Sequence, residues 1–223
     1  MMSHRTRALA LTALLATALA GCSSGGKDSA YGDILDRALA GGPILGNGAS
    51  GGDDIELSDA QINALPMNVL IVESETLGSR TGFVQAAVNR DTVTWQSDDR
   101  KQIVTRGGQL VGTIGFGNDL TSATAPTFNA PQASRARYIL GGDERVERVD
   151  YACTLGDGGT ENVTVTGRVF ATRVLTERCT SPTGPTFENR YWIDGSGAIR
   201  KSRQFATPGL GYLTIGDVHT GRR

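Results

Sequence analysis

Catalysis near neutral pH usually calls on histidine, and this 223-residue chain has two, His4 and His219, one near each end. A serine or cysteine nucleophile would therefore have no internal imidazole to activate it. The same count removes any histidine-based metal site. Three cysteines remain, Cys22, Cys153 and Cys179. In an exported chain Cys153 and Cys179 most simply form a disulfide. The rivals are two free buried thiols or a metal-binding pair, and the metal reading lacks nearby histidine ligands. Glu73 and Glu75 lie two apart on an expected strand and would share a face, while Asp53-Asp54 and Asp98-Asp99 are adjacent. Glycosidic hydrolysis needs two carboxylates about 5 to 10 Å apart across a cleft. A chain with 23 acids meets that condition by chance, so solvated turns and strand edges are the expected home of these groups. Gly115-Phe116-Gly117-Asn118-Asp119 could suggest a nucleotide loop, but no helical pattern follows it, and a turn between strands is the better reading. Neither a catalytic residue nor a cofactor is expected.

Aromatic rings offer a different chemistry. Among 13 aromatic residues, Trp95, Tyr191 and Trp192, with Tyr151 and Tyr212, have flat faces that suit sugar rings. They equally suit the core of a β domain. Trp95, Tyr191 and Trp192 are the candidate contacts with a glycan or a protein partner, and both readings stay open.

The start of the chain carries another chemical signal. Met1 to Arg7 contains Arg5 and Arg7 and no acid, and an apolar run follows from Ala8 to Ala18. That run is too short for a helix to cross a hydrocarbon core, which takes about 20 residues, and it reads as a signal peptide. It ends in Leu19-Ala20-Gly21-Cys22, which resembles the lipobox of bacterial lipoproteins. The resemblance implies acylation of the Cys22 sulfur, cleavage after residue 21 and acylation of the new amine. Two or more acyl chains anchor stably where one is marginal. Ser23, in place of Asp, resembles the signal for sorting to the outer membrane. Taking residues 1–21 from 223 leaves 202, a length that suits one domain. Taking away Arg5 and Arg7 leaves 20 basic against 23 acidic side chains. No stretch concentrates positive charge, so nucleic acid is not an expected partner.

The elements that must position these groups read as strands. Residues 22–30 form a polar, glycine-rich tether. Tyr31 to Ala40 has helical spacing at Ile34, Leu35, Ala38 and Leu39, and Ser58 could cap a second short turn ending at Pro66. Beyond Met67 the period changes. Asn68 to Ser74 is a continuous apolar run, as in a buried strand. Phe83–Val88 and Thr92–Ser97 follow, and Gly107-Gly108 reads as a hairpin turn between Gln102–Arg106 and Gln109–Ile114. Thr121 to Ser134 reads as a loop. Arg137–Leu140 and Glu144–Leu155 lead to a turn at Asp157-Gly158-Gly159, and Asn162 to Cys179 reads as one long alternating strand. Phe187–Ile193, Ala198–Phe205 and Leu210–Val218 complete the chain. The fold class expected is all-β: an antiparallel, barrel-like or strongly curved sheet of about ten strands, with one or two short N-terminal helices. A two-sheet sandwich is the alternative. The expected organisation is a signal peptide at 1–21, a lipidated tether at 22–30 and one β-rich domain at 31–223.

Several stretches in order resemble the YjbF/GfcB family of bacterial lipoproteins. They are Trp95-Gln-Ser-Asp-Asp, Ile103 to Val111, Thr113 to Leu120, Tyr151-Ala-Cys153 with Glu177-Arg-Cys179, Phe187 to Trp192, and Gly197 to Ser202 with Gln204. The resemblance covers most of Leu65 to Leu213, plus the lipobox. It implies a non-enzymatic accessory of extracellular or capsular polysaccharide production, held at the outer membrane and facing the periplasm. It also implies protein partners in export and, for the glycan, a binding role. The alternative is a lipid- or glycan-holding barrel similar to periplasmic lipoprotein carriers, which would need an apolar cavity. A glycan-modifying enzyme is a third reading.

Overall fold

The computed structural model describes residue 65 and residues 67–141 and 145–218. The signal peptide, Cys22, the tether, the expected helix at Tyr31–Ala40, all of the second expected turn but Leu65, and His219 lie outside the described residues. Twelve strands follow in chain order: β1 (Val69–Ser74), β2 (Ser79–Asn89), β3 (Thr92–Gln96), β4 (Gln102–Arg106), β5 (Gln109–Ile114), β6 (Leu120–Ala123), β7 (Gln132–Leu140), β8 (Val146–Val165), β9 (Arg168–Thr180), β10 (Phe187–Asp194), β11 (Ile199–Thr207) and β12 (Gly211–Val218). They form one antiparallel sheet in the order β5-β4-β3-β2-β1-β12-β11-β10-β9-β8-β7-β6. Neighbours in the sheet are consecutive in sequence except at β1–β12, where the two ends of the described chain zip together from Val69–Val218 to Ser74–Leu213.

The sheet curls into a nearly closed barrel, and the expectation of an all-β, barrel-like fold holds. Its outermost strands, β5 and β6, meet along a seam made by side chains. Thr113 Oγ1 on β5 accepts from the Leu120 amide at 2.9 Å and donates to the Asp119 carboxylate at 2.8 Å. That carboxylate also accepts from the Gly115 and Phe116 amides, so Gly115–Asp119 is a carboxylate-tied turn. Such a seam shields the edge amides that would otherwise template another chain.

Three sequence expectations are corrected. First, Thr121–Ser134 is not all loop: β6 takes Leu120–Ala123 and β7 starts at Gln132. Its single strongly apolar inward residue, Leu120, is wholly buried, and one such residue gives too little alternation to read as a strand. Second, Asn162–Cys179 is not one strand. The chain reverses at Thr166-Gly167, whose φ angles of 49° and 85° are the paired left-handed conformations of a tight hairpin turn. Third, Asp157-Gly158-Gly159 is not a turn but a bulge inside β8, where the register slips between Asp157 and Thr160. A Cβ on Gly158 would stand 2.8 Å from Val174 Cγ1, so glycine lets the two strands pass.

The bulge bends the ladder, and the distal part of the β8–β9 hairpin becomes an arm folded over the barrel's outer surface. Its Val165 packs with Val69, Ile71, Val84 and Val218, and its Val163 with Val174 and Trp192. Since Leu70 and Val72 face the interior cluster, β1 is buried on both sides. That accounts for its unbroken apolar run.

Candidate functional site

Strand parity assigns the interior. Register pairs Arg135 with Tyr151, Glu177 with Asn189, and Tyr191 with both Leu175 and Ser202, and all these side chains point into the barrel. The central level is polar. Arg135 grips the Glu177 carboxylate with two bonds, Nε to Oε1 at 2.7 Å and Nη2 to Oε2 at 2.9 Å. Its remaining donors reach the Thr124 carbonyl at 2.8 Å and Gln109 Oε1 at 2.5 Å. Tyr191 donates to Glu177 Oε2 at 3.0 Å, and Asn189 donates to the same oxygen at 2.9 Å. Gln204 accepts from the Leu110 amide and donates to the Gly108 carbonyl and to Ser202. Arg135, Glu177, Asn189, Tyr191 and Gln204 are each at most 2% exposed.

The electrostatics follow from this burial. Desolvation pulls the Arg135 guanidinium down, but the nearby Tyr191 and Glu177 outweigh it and its pKa is raised. Burial drives the Tyr191 phenol up, with the Glu177 charge adding to the shift; it stays a neutral donor. Arg137, two residues along β7, is paired with no carboxylate among the described residues. It donates to the Phe205 and Ala206 carbonyls and lies 5.3 Å and 5.6 Å from the Phe187 and Phe205 ring centres. Burial and the charge of Arg135 bring its pKa to about 10. Chemically, the network is a strut across the barrel: its acid is committed to a bidentate cation and its phenol to that acid.

Cys153 and Cys179 are joined as a disulfide between directly paired positions of β8 and β9. Glu177 lies close enough for the three residues to form a donor cluster, but with the sulfurs bonded to one another the metal-pair reading loses two of three ligands.

The candidate aromatics do not form one site. Tyr191 is fully buried in the strut and presents no face to solvent. Trp192 points outward beneath the arm, donating to Glu161 at 3.0 Å and flanked by Arg190 and Lys201. Trp95 points inward near one end of the barrel, its indole N–H fixed on Thr105 Oγ1 at 2.9 Å. Glu73 and Glu75 are each taken by a separate arginine, Arg80 at 3.2 Å and Arg203 at 2.6 Å.

At Trp95's end the barrel opens into a mouth of ≈ 580 Å³. Its wall combines Leu70, Val93, Trp95, Ile199 and Ile215 with the polar Asn68, Gln85, Asp91, Arg200 and Asp217. Asn68 donates to Gln85 at 2.8 Å, and Arg200 bridges Asp194 at 2.6 Å and Asp217 at 3.3 Å. Sequence reasoning missed these rim groups and the strut alike. The available signal was parity: Glu177 shares a strand face with Cys179, and Arg135 shares one with Arg137.

Asp194 yields a pH prediction. Partial burial raises its carboxyl, but bonds from the Ser196 hydroxyl, Arg200 and the Ala198 and Ser196 amides overcome this and hold it at about 2. A carboxyl lower in the folded state than its ordinary value near 4 stabilises above that value, and the contribution fades as pH falls from about 4 towards 2. Asp194→Asn is therefore expected to be less stable than the native chain at pH 7 and to close that gap at pH 2. Urea midpoints measured across this range check it; a gap independent of pH refutes it.

Comparisons with known proteins agree with the fold. A family described as "Group 4 capsule polysaccharide lipoprotein gfcB, YjbF" matches residues 32–217. Among similar proteins, the uncharacterized lipoprotein GfcB of Escherichia coli K12 is 30% identical over 169 residues, covering 70% of this chain and 78% of that one. The uncharacterized lipoprotein YjbF of the same organism is 30% identical over 176 residues, covering 74% and 81%. The crystal structure of the hypothetical lipoprotein YmcC from Escherichia coli K12 superposes with a TM-score of 0.65 at 23% identity, covering 74% of this chain and 89% of that one.

Proposed function

The chain belongs to the YjbF/GfcB family of group 4 capsule polysaccharide lipoproteins, and from that premise we propose that it is a non-enzymatic accessory of capsular or extracellular polysaccharide production. It is anchored by acyl chains on Cys22 to the outer membrane and faces the periplasm. The lipobox and Ser23 support the anchor and its destination. The geometric observation carrying the binding role is the strut: Arg135 and Glu177 plug the barrel at mid-height and leave the mouth as its concave face. A plugged barrel suits holding a partner or a stretch of glycan at one end better than enclosing a long acyl chain. The carrier reading keeps one observation in its favour, the half-apolar mouth with Leu70, Val93 and Ile215 in its wall.

The test is genetic and chemical. Cells given labelled palmitate should label the native chain and not Cys22→Ser, and Cys22→Ser should leave the membrane fraction. Surface polysaccharide should fall in the deletion strain and be restored by the native chain. A deletion that leaves surface and secreted polysaccharide unchanged refutes the accessory role.

A further inference from the structure

The root of the arm carries a groove of its own. Ladder register sets Thr160 opposite Arg173, Arg173 opposite Ile193 and Asn162 opposite Ala171, so these side chains share one face of β8, β9 and β10. Lower down, that face lines the barrel, where Ile193 packs with Leu175 and Tyr191. Beyond the bulge it turns out to solvent, and Thr160, Asn162, Ala171 and Arg173 are all exposed. With Ile193 and Gly195 they line an open groove of ≈ 600 Å³, within the range of about 300 to 1,000 Å³ typical of small-ligand sites. Gly195 adjoins Ser196 in the wall of the mouth, so the groove ends at the mouth's rim.

Strand parity decides which charge a ligand meets. The two acids at the groove, Glu161 and Asp194, both pair with Thr172 in the ladder and so belong to the opposite face from Arg173. Both are engaged there. Glu161 accepts from the Trp192 indole and lies 3.5 Å from Arg190, and Asp194 is held by Arg200 and by its own turn. The Arg173 side chain has no ion pair or hydrogen bond among the described residues. Its planar fork matches a carboxylate, and the Asn162 amide and Thr160 hydroxyl beside it suit sugar hydroxyls. Resting on the polysaccharide reading, we propose that this groove is a subsite for an acidic sugar residue of the glycan, its carboxylate taken by Arg173. Being open to solvent, the groove admits a residue in mid-chain.

The experiment uses the mature lipoprotein in an uncharged detergent, titrated by calorimetry with hexagalacturonate, maltohexaose and hexaglutamate. Hexagalacturonate should bind saturably, with the neutral sugar and the acidic peptide each about tenfold weaker or worse. Arg173→Gln should weaken hexagalacturonate about tenfold, and Asn162→Ala should weaken it measurably. Arg178→Gln removes an equal charge from the same strand roughly 17 Å away and should leave binding unchanged. All three side chains are exposed, so each variant should fold. The proposal is overturned if hexagalacturonate does not bind at about 10 mM, or if maltohexaose or hexaglutamate binds as well. It is equally overturned if Arg173→Gln or Asn162→Ala binds like the native chain, or if Arg178→Gln loses as much as Arg173→Gln. Hydrolysed surface polysaccharide should contain an acidic sugar, and an all-neutral polymer also overturns it. Expressing Arg173→Gln in the deletion strain separates this site from the wider role. Full restoration of polysaccharide by a variant that no longer binds rejects the subsite and leaves the accessory function standing.

Discussion

Replacing Glu177 with alanine is expected to destabilise the barrel by about 3 to 5 kcal/mol, the usual cost of removing one partner from a buried ion pair. That is a large part of the roughly 5 to 15 kcal/mol that holds a domain folded. The loss arises because Arg135 is 1% exposed and cannot turn to water for a substitute. Its guanidinium would remain charged, since an arginine does not deprotonate in this range, and three donors would lose their acceptor together: Arg135, Asn189 and Tyr191. Glu177→Gln keeps the shape and one acceptor oxygen but removes the charge, so it should fall between native and alanine. The informative comparison is Arg135→Met with Glu177→Leu. If the pair sets geometry more than it adds stability, filling its volume with apolar atoms should recover most of the loss. Urea unfolding of the four proteins checks this. Glu177→Ala within about 1 kcal/mol of native would mean that Arg135 finds another partner and that the strut is misread.

Why the sequence concealed this strut while revealing the barrel is a matter of which signals are local. Gly107-Gly108 announces its hairpin because both residues adopt positive φ, and the β1 run announces a buried strand because both its faces meet apolar neighbours. Thr166-Gly167 performs the same reversal as Gly107-Gly108, yet threonine at φ 49° is a residue that rarely sits there, so the turn passes for mid-strand. Conversely, Asp157-Gly158-Gly159 has turn composition and sits in a bulge, because the demand it meets is close passage of Val174 and a bend of the arm. The strut fails to show for a third reason. Arg135 and Glu177 are 42 residues apart, and each alone resembles a solvated charge. Only the β7–β8–β9 register, with Arg135 opposite Tyr151 and Glu177 opposite Leu155, turns both inward to the same level. Trp95 was legible as an aromatic of interest, but its separation from Tyr191 and Trp192 depends on strand parity and on the folding-over of the arm.

The disulfide gives the second large effect. Replacing both Cys153 and Cys179 with alanine is expected to cost about 3 kcal/mol, from the chain entropy that the bridge removes from the unfolded state across its 26-residue separation. The native side adds to this. Both cysteines are at most 3% exposed and pack with Val149, Tyr151, Phe187 and Phe205, so alanines leave space beside the aromatic cluster that Arg137 overlies. The bridge spans the base of the β8–β9 ladder, on the barrel side of the Asp157–Thr160 bulge, whereas the arm lies on the far side. Its loss should therefore loosen the barrel wall and not merely the arm. Native chain treated with a thiol reductant under mild denaturant should show a lowered urea midpoint close to that of the double alanine variant. Agreement between the two assigns the effect to the covalent bond. If the reduced chain keeps the native midpoint, the barrel's ladder and strut suffice, and the bridge contributes nothing to equilibrium stability.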